Sequence, residues 1–158
     1  MKLGYSDVFH KRELWSQLSE KFNGKFEIHL TSGNELEIHK LSIPFDKWEL
    51  ILSESDTRPI KFEIQFDSYI DYQLTIGRED TIDRLLKRLG KREIEIGNKD
   101  FDSGYTIESN DTETTIKLFS KEIIDSILKY KVYSISYSSD MKKQKSNLIS
   151  VIGRTNGD

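Results

Sequence analysis

The sequence contains no cysteine, only two prolines and only three histidines among its 158 residues. Without cysteine, the chain forms no disulfide, no thiolate zinc site and no cysteine nucleophile. Three histidines leave little material for a histidine-based metal site. No apolar run approaches the roughly 18 residues that a membrane helix needs, and Met1–His10 has no apolar segment typical of a signal peptide. We therefore expect a cytoplasmic protein without a membrane span.

The charges are mixed, with 24 basic and 27 acidic side chains and a net charge of −3. Nucleic-acid-binding proteins usually carry a basic surface, so we expect no nucleic acid among the partners. Hydrophobic residues make up 35% of the chain, which is enough for a packed core. The length fits one domain of about 100–200 residues. Residues 1–158 are therefore predicted to form a single domain with a flexible tail at 153–158.

The first half of the chain predicts one helix followed by strands. A single apolar stripe predicts a helix over Lys11–Phe22, and Asn23–Gly24 ends it. Alternation of apolar and polar residues then predicts five consecutive strands with short connections, which indicates an antiparallel meander. These strands are predicted at Lys25–Leu30, Glu35–His39, Trp48–Ser53, Ile60–Phe66 and Tyr72–Ile76.

The first two strands have the pattern of a hairpin around a three-residue turn, Ser32–Asn34. Keeping the apolar residues on one face opposes Ile28 to Ile38, because a slip of one residue would turn every side chain over. The outer face would then carry two exposed cross-strand pairs: His29 with Glu37, and His39 with Glu27. Such pairs stabilise a sheet by about 0.2–1 kcal/mol each. A metal or acid–base site is the alternative interpretation of these four residues.

The second half mixes helices and strands. Apolar spacing and caps predict a helix over Asp80–Leu89 and a helical region from the cap at Asn110–Thr112 to Tyr130, within which Ser120 could cap a second helix and so kink the run. Short strands are predicted at Glu93–Ile96, Tyr105–Ser109, Val132–Tyr137 and Leu148–Ile152. The whole pattern predicts an α+β fold: one mostly antiparallel sheet of about seven to nine strands, with three or four helices packed on one face.

The most suggestive chemical pattern lies in the loop Asn98–Gly104 and the strand after it. Asp100, Asp102 and Glu108 are candidate metal ligands, because alternating oxygen-bearing side chains can wrap a calcium ion. Glycine and glutamate are both displaced from the places that a calcium loop requires. The alternative interpretation is an ordinary turn, since Asn, Asp and Gly form turns through local hydrogen bonds.

Two short basic clusters could contact phosphate. They consist of Lys87, Arg88, Lys91 and Arg92 in the first, and Lys142, Lys143 and Lys145 in the second. A solvated helix end and a solvated loop are the simpler interpretations, because the sequence shows no neighbouring aromatics suited to stacking. No Gly-rich phosphate loop is present, no serine has the context of a nucleophile elbow, and no cofactor is predicted.

The segment Ile94–Asp111, with Leu118–Ser120, resembles an uncharacterised family of bacterial proteins. The likeness consists of a short strand, a Phe–acid pair at Phe101–Asp102, an aromatic at Tyr105 and a polar cap before a helix. Two closing strands follow. The resemblance implies a shared fold and a bacterial protein of unknown function. It carries over no catalytic or binding residue.

These patterns favour a non-enzymatic binding or protein-interaction domain, with an unknown protein or a small apolar ligand as its partner. A curved sheet against helices can enclose an apolar pocket, and an exposed edge strand can pair two copies of the chain into a homodimer. The competing hypothesis is a metal-assisted hydrolase centred on Asp100, Asp102 and Glu108.

Overall fold

The computed structural model describes residues 5–33, 36–78 and 94–153. The chain divides into two compact units, Met1–Gln65 and Phe66–Asp158, which are taken in turn below. Four helices and eight strands lie within the described residues, so the predicted α+β class is confirmed. The predicted helix Asp80–Leu89, the first basic cluster and residues 154–158 lie outside the described ranges. The single domain stays a prediction.

The first unit is a helix and an antiparallel meander in the strand order β1-β2-β3-β4. Its elements are α1 (Tyr5–Lys21), β1 (Lys25–Leu30), β2 (Glu37–Phe45), β3 (Trp48–Ser55) and β4 (Arg58–Asp67). The predicted helix and first four strands are all found, and α1 begins six residues earlier than the apolar stripe indicated.

The junction between α1 and β1 is held by backbone geometry. Asn23 has φ +50°, the left-handed conformation that ends a helix. Gly24 then donates its N–H to the Ser19 carbonyl at 2.8 Å. A Cβ atom at Gly24 would lie 2.6 Å from the backbone oxygen of Ser42. Glycine is therefore required here by close approach of the backbones.

The predicted register of the first hairpin is wrong by one residue. Ile28 lies opposite His39, and His29 lies opposite Ile38. Thr31 N donates to Leu36 O at 2.9 Å, so the connection is one residue longer than a three-residue turn allows. Because side chains alternate with a period of two, this slip turns the second strand over. His39 becomes buried, at 4% exposure.

Helix α1 contacts this hairpin through Trp15 and Arg12. The indole ring stacks on Phe26 with 6.1 Å between centroids, and Arg12 donates to the Glu37 carboxylate. Trp15 is buried, whereas Leu14 and Phe22 are about half exposed. The predicted apolar stripe is therefore only partly buried.

The second unit contains three helices and four further strands. They are β5 (Gln73–Arg78), α2 (Lys99–Asp102), β6 (Tyr105–Ser109), α3 (Thr112–Leu118), α4 (Lys121–Lys129), β7 (Val132–Asp140) and β8 (Lys145–Ile152). The strand order is β8-β7-β5-β6, with antiparallel pairs. β5 therefore pairs with β6 and β7, and the predicted continuation of one five-strand meander into β5 is wrong.

The caps predicted in the second half are confirmed at α3 and α4. Asp111 accepts a hydrogen bond from Thr114 N at 3.0 Å, and Ser120 accepts one from Ile123 N at 3.4 Å. The expected strand at Glu93–Ile96 is wrong over its described residues, 94–96, which form no strand. Their backbone is held differently: Ile96 N donates to the Asp102 carboxylate at 3.1 Å.

A hydrophobic core lies beneath these helices. Phe101 is fully buried and stacks on Tyr105 at 4.9 Å between ring centroids. Phe119 contacts the Phe101 ring edge-on, at 5.5 Å between centroids. Ile107 and Ile124 belong to the same cluster. Among the described residues, none of the helices is both long and apolar enough to cross a membrane.

Candidate functional site

An apolar cavity of about 430 Å³ opens between the sheet and the helices of the second unit. Its wall contains isoleucine, leucine, phenylalanine, tyrosine and one threonine. The lining residues are Ile70, Tyr72, Leu74, Ile76, Thr114, Leu118, Phe119, Ile123, Ile127, Ile135, Tyr137 and Leu148. All of them belong to the second unit.

The floor of the cavity follows from strand register. Leu74 lies opposite Tyr137 on the neighbouring strand, and Tyr137 lies opposite Leu148 on the next. Ile76 lies opposite Ile135 in the same way. Directly opposed residues in an antiparallel sheet share a face. These five side chains thus share one side of the sheet, whereas Thr75 and the residues in line with it on the neighbouring strands, Ser136 and Ile149, face away.

The helical wall comes from α3, α4 and the corner between them. Ile123 and Ile127 are four residues apart and therefore share one face of α4. Phe119 lies at the corner as the C-cap of α3, next to Ser120, the N-cap of α4. Apolar spacing in the sequence predicts one face made of Ile116, Phe119, Ile123, Ile127 and Tyr130. Ile116 and Tyr130 are instead exposed and lie outside the cavity lining.

The mouth of the cavity is formed by apolar side chains that remain in water. Leu118 is 48% exposed, Ile123 45% and Ile70 65%. The floor residues Leu74 and Ile76 and the wall residue Ile127 are buried. The cavity is therefore a half-open pocket with a buried floor and an apolar rim.

Three lining side chains carry hydroxyl groups, and each hydroxyl is bonded inside the protein. Tyr72 Oη lies 2.7 Å from Thr115 Oγ1, and Thr114 Oγ1 donates to Asp111 Oδ2 at 2.6 Å. Tyr137 Oη donates to Ser146 Oγ at 2.9 Å. Few polar atoms are thus left to meet a molecule in the cavity.

The Tyr137 hydroxyl belongs to a cluster of serines at one end of the sheet. Ser68 lies 3.3 Å from it, and Ser139 lies 3.1 Å from Ser146. Burial acts to raise the pKa of Tyr137, but hydrogen bonds to Ser146, Ser68 and Ser139 outweigh this effect and lower the pKa below its ordinary value of 10.0. The ring of Tyr137 lines the cavity while its hydroxyl is engaged by this cluster.

The three predicted metal ligands, Asp100, Asp102 and Glu108, are not brought together into a group. Asp102 accepts hydrogen bonds from Ile96 N and Gly97 N at 3.1 and 3.0 Å. Asp100 is exposed. Glu108 lies on β6 opposite Thr75. Within residues 5–33, 36–78 and 94–153, no three His, Asp or Glu side chains are grouped so that they could hold a metal ion.

His39, which the sequence placed on the exposed face of the hairpin, lies in a buried cluster of the first unit. His39 is enclosed by Trp15 and Phe26, with ring centroids 6.0 and 5.8 Å away. Its Nε2 lies 3.3 Å from Glu37, and Glu54 accepts the Trp15 indole N–H at 2.7 Å. The predicted surface pair with Glu27 is therefore wrong: His39 instead ties α1 to the hairpin.

The second basic cluster is balanced by acids. Lys145 lies 2.6 Å from Asp67, and Lys143 lies 3.4 Å from Asp140. Lys142 N donates to Asp140 Oδ1 at 3.1 Å. These exposed pairs fit the simpler interpretation of this cluster as a solvated loop.

Comparison with known proteins gives no match to any protein-family model, curated protein or solved structure. The resemblance of Ile94–Ser120 to a bacterial family stays a prediction. The function therefore rests on the geometry of the site.

Proposed function

We propose that this protein is a non-enzymatic binding domain that holds an apolar ligand in the cavity of the second unit. The observation that carries the proposal is the cavity itself: about 430 Å³ in volume, with a wall that is almost entirely hydrocarbon. Ligand pockets commonly measure about 300–1,000 Å³ and are lined mostly by hydrophobic and aromatic side chains. The sequence pattern predicted that a sheet and helices can enclose an apolar pocket, but it did not indicate which residues line it.

The chemistry of the wall supports binding over catalysis. The lining side chains within the described residues include no histidine, carboxylate, lysine or arginine. The Tyr72 and Tyr137 hydroxyls are bonded to other hydroxyls. Thr114 lies beside the Asp111 carboxylate, but hydrogen bonds from Thr114 hold the pKa of Asp111 below its ordinary value, so it is a weak general base for activating an oxygen nucleophile. The proposed ligand is therefore held without being transformed.

The expected affinity follows from the apolar surface that the cavity can cover. Each buried methylene contributes about 0.8 kcal/mol, so eight to ten methylenes contribute roughly 6–8 kcal/mol. Association costs at least about 4 kcal/mol in lost translational and rotational freedom. The balance of about 2–4 kcal/mol corresponds to a dissociation constant of roughly 1–30 mM, and a more rigid ligand would bind more strongly.

A fluorescent apolar probe, N-phenyl-1-naphthylamine, tests the proposal with two matched variants. Ile123 and Ile116 are similarly exposed isoleucines on neighbouring helices, at 45% and 47%, but only Ile123 lines the cavity. Ile123→Trp should obstruct the mouth and weaken probe binding at least tenfold. Ile116→Trp should leave binding unchanged.

The proposal predicts that emission rises when the probe is titrated into the wild-type protein. Circular dichroism on both variants verifies that each remains folded. Equal probe binding by wild type and a folded Ile123→Trp variant would refute the proposal, as would the absence of binding by wild type. The predicted protein partner and edge-strand homodimer are separate from this proposal and stay predictions.

A further inference from the structure

We infer that the part of the ligand that enters the cavity is unsubstituted hydrocarbon, either an alkyl chain or an aryl group, with any polar group left at the mouth. This inference rests on the proposed function, and it adds the chemical class of the ligand. The inference depends on which atoms accept the protons of the hydroxyl groups that line the cavity.

The direction of the bond between Tyr72 and Thr115 is fixed by a third group. Thr115 Oγ1 lies 2.6 Å from the carbonyl oxygen of Asp111 and donates its single proton there. The Tyr72 hydroxyl must therefore be the donor in the 2.7 Å contact with Thr115 Oγ1. Its proton is used inside the protein, since a hydroxyl has one proton to donate.

The other two lining hydroxyls are committed in the same way. Thr114 donates its proton to Asp111, and Tyr137 donates its proton to Ser146. The oxygens of these hydroxyls hardly reach the cavity surface, so a polar atom pushed into the cavity would lose its water and gain neither a donor nor an acceptor. Leaving a hydroxyl unpaired in an apolar site weakens binding on the order of tenfold to a hundredfold.

The volume sets the size of the hydrocarbon. A cavity of about 150 Å³ lined by apolar side chains stays dry and holds one benzene molecule. The cavity here, at about 430 Å³, is roughly three times larger. It has space for a medium-length alkyl chain or a bicyclic aromatic group.

The same reasoning argues against an extended peptide as the occupant. Backbone N–H and C=O groups need hydrogen-bond partners when they are buried, and the almost wholly apolar surface of the cavity offers few. A helix satisfies its own backbone, so an amphipathic helix is the alternative that the experiment must separate from a small hydrocarbon.

Two isomeric diols provide the test. In 1,2-octanediol both hydroxyls occupy one end, so a six-carbon tail can enter the cavity while both hydroxyls stay in water. In 1,8-octanediol a hydroxyl must enter with either end, or the chain must fold back. Methyl NMR titration of the full-length protein, with 1-octanol as reference and Ile127 and Leu74 as reporters, should give at least tenfold tighter binding for the 1,2 isomer.

Each result decides between separate claims. Equal affinity for the two isomers, with both lost in Ile123→Trp, would overturn the hydrocarbon inference and leave the proposed binding function intact. If 1-octanol and both diols fail to shift the cavity methyls, and N-phenyl-1-naphthylamine also fails to bind, both are wrong. A twelve-residue amphipathic Leu–Lys helix that binds the same methyls more tightly than 1-octanol would overturn the small hydrocarbon in favour of a protein helix.

Discussion

The hydroxyl pair between Tyr72 and Thr115 allows a prediction with a definite sign. Both residues are buried, at 6% and 0% exposure, and the proton logic makes Tyr72 the donor. Tyr72→Phe removes the donor but leaves Thr115 bonded to the Asp111 carbonyl. It should lower the free energy of unfolding by only about 0.5–1.5 kcal/mol.

The reciprocal change should cost more. Thr115→Val keeps the shape of the side chain but leaves the buried Tyr72 hydroxyl without its hydrogen-bond acceptor. This should lower the free energy of unfolding by about 1–3 kcal/mol. In that background, Tyr72→Phe removes the stranded donor. The second substitution should therefore raise stability, although the same change lowers it in the wild type.

Urea unfolding followed by far-ultraviolet circular dichroism measures the cycle. With a slope of about 1–3 kcal/mol per molar urea, a difference of 1 kcal/mol moves the midpoint by roughly 0.3–1 M. Additive effects of the two substitutions would refute the reasoning, since independent sites add and coupled partners do not. Additivity would mean that the Tyr72 hydroxyl reaches water through the cavity, which would also remove a premise of the hydrocarbon inference.

Two further predictions concern the first unit. Hydrogen bonds from Arg12 hold the pKa of Glu37 below its ordinary value of 4.5. The ionised carboxylate therefore stabilises the fold fully above pH 4.5. This stabilisation is lost as the pH falls through the lowered pKa of the folded state. The difference in unfolding free energy between wild type and Arg12→Gln, from urea titrations at pH 6 and pH 3, should shrink at pH 3; a constant difference would contradict the assignment. Gly24→Ala places a Cβ atom 2.6 Å from the Ser42 backbone oxygen and should destabilise the protein by about 1–3 kcal/mol, measured in the same way, whereas unchanged stability would show that the two backbones are farther apart.

Local chemistry in the sequence was sufficient for the helix caps and for the limits of β1 and β6. Asp111 and Ser120 cap their helices as predicted, and Asn23 takes the left-handed conformation at the end of α1. The strand Tyr105–Ser109 has the predicted limits. These features depend on residues within four or five positions of each other, so the sequence alone specifies them.

The position of His39 shows where local pattern fails. Leu36 and Ile38 suggested one alternation, whereas Leu41 and the residues after it follow the opposite one. The second alternation is the one that the fold uses, and Leu41 is fully buried. Alternation extended to Leu41 and Ile43 would have indicated the correct face. The length of the turn selects between the two registers, and the period of two makes that choice decisive for every side chain.

The sequence by itself thus determined the α+β class, the capping residues and the absence of cysteine chemistry, because each depends on residue type or near neighbours. Only the tertiary structure decided the site. The cavity joins Ile70–Ile76, Thr114–Ile127, Ile135–Tyr137 and Leu148, which are far apart along the chain. Their meeting requires β5 to pair with β7 rather than continue the meander. Strand partners are chosen by the burial of apolar surface over the whole unit, and no local period encodes that choice.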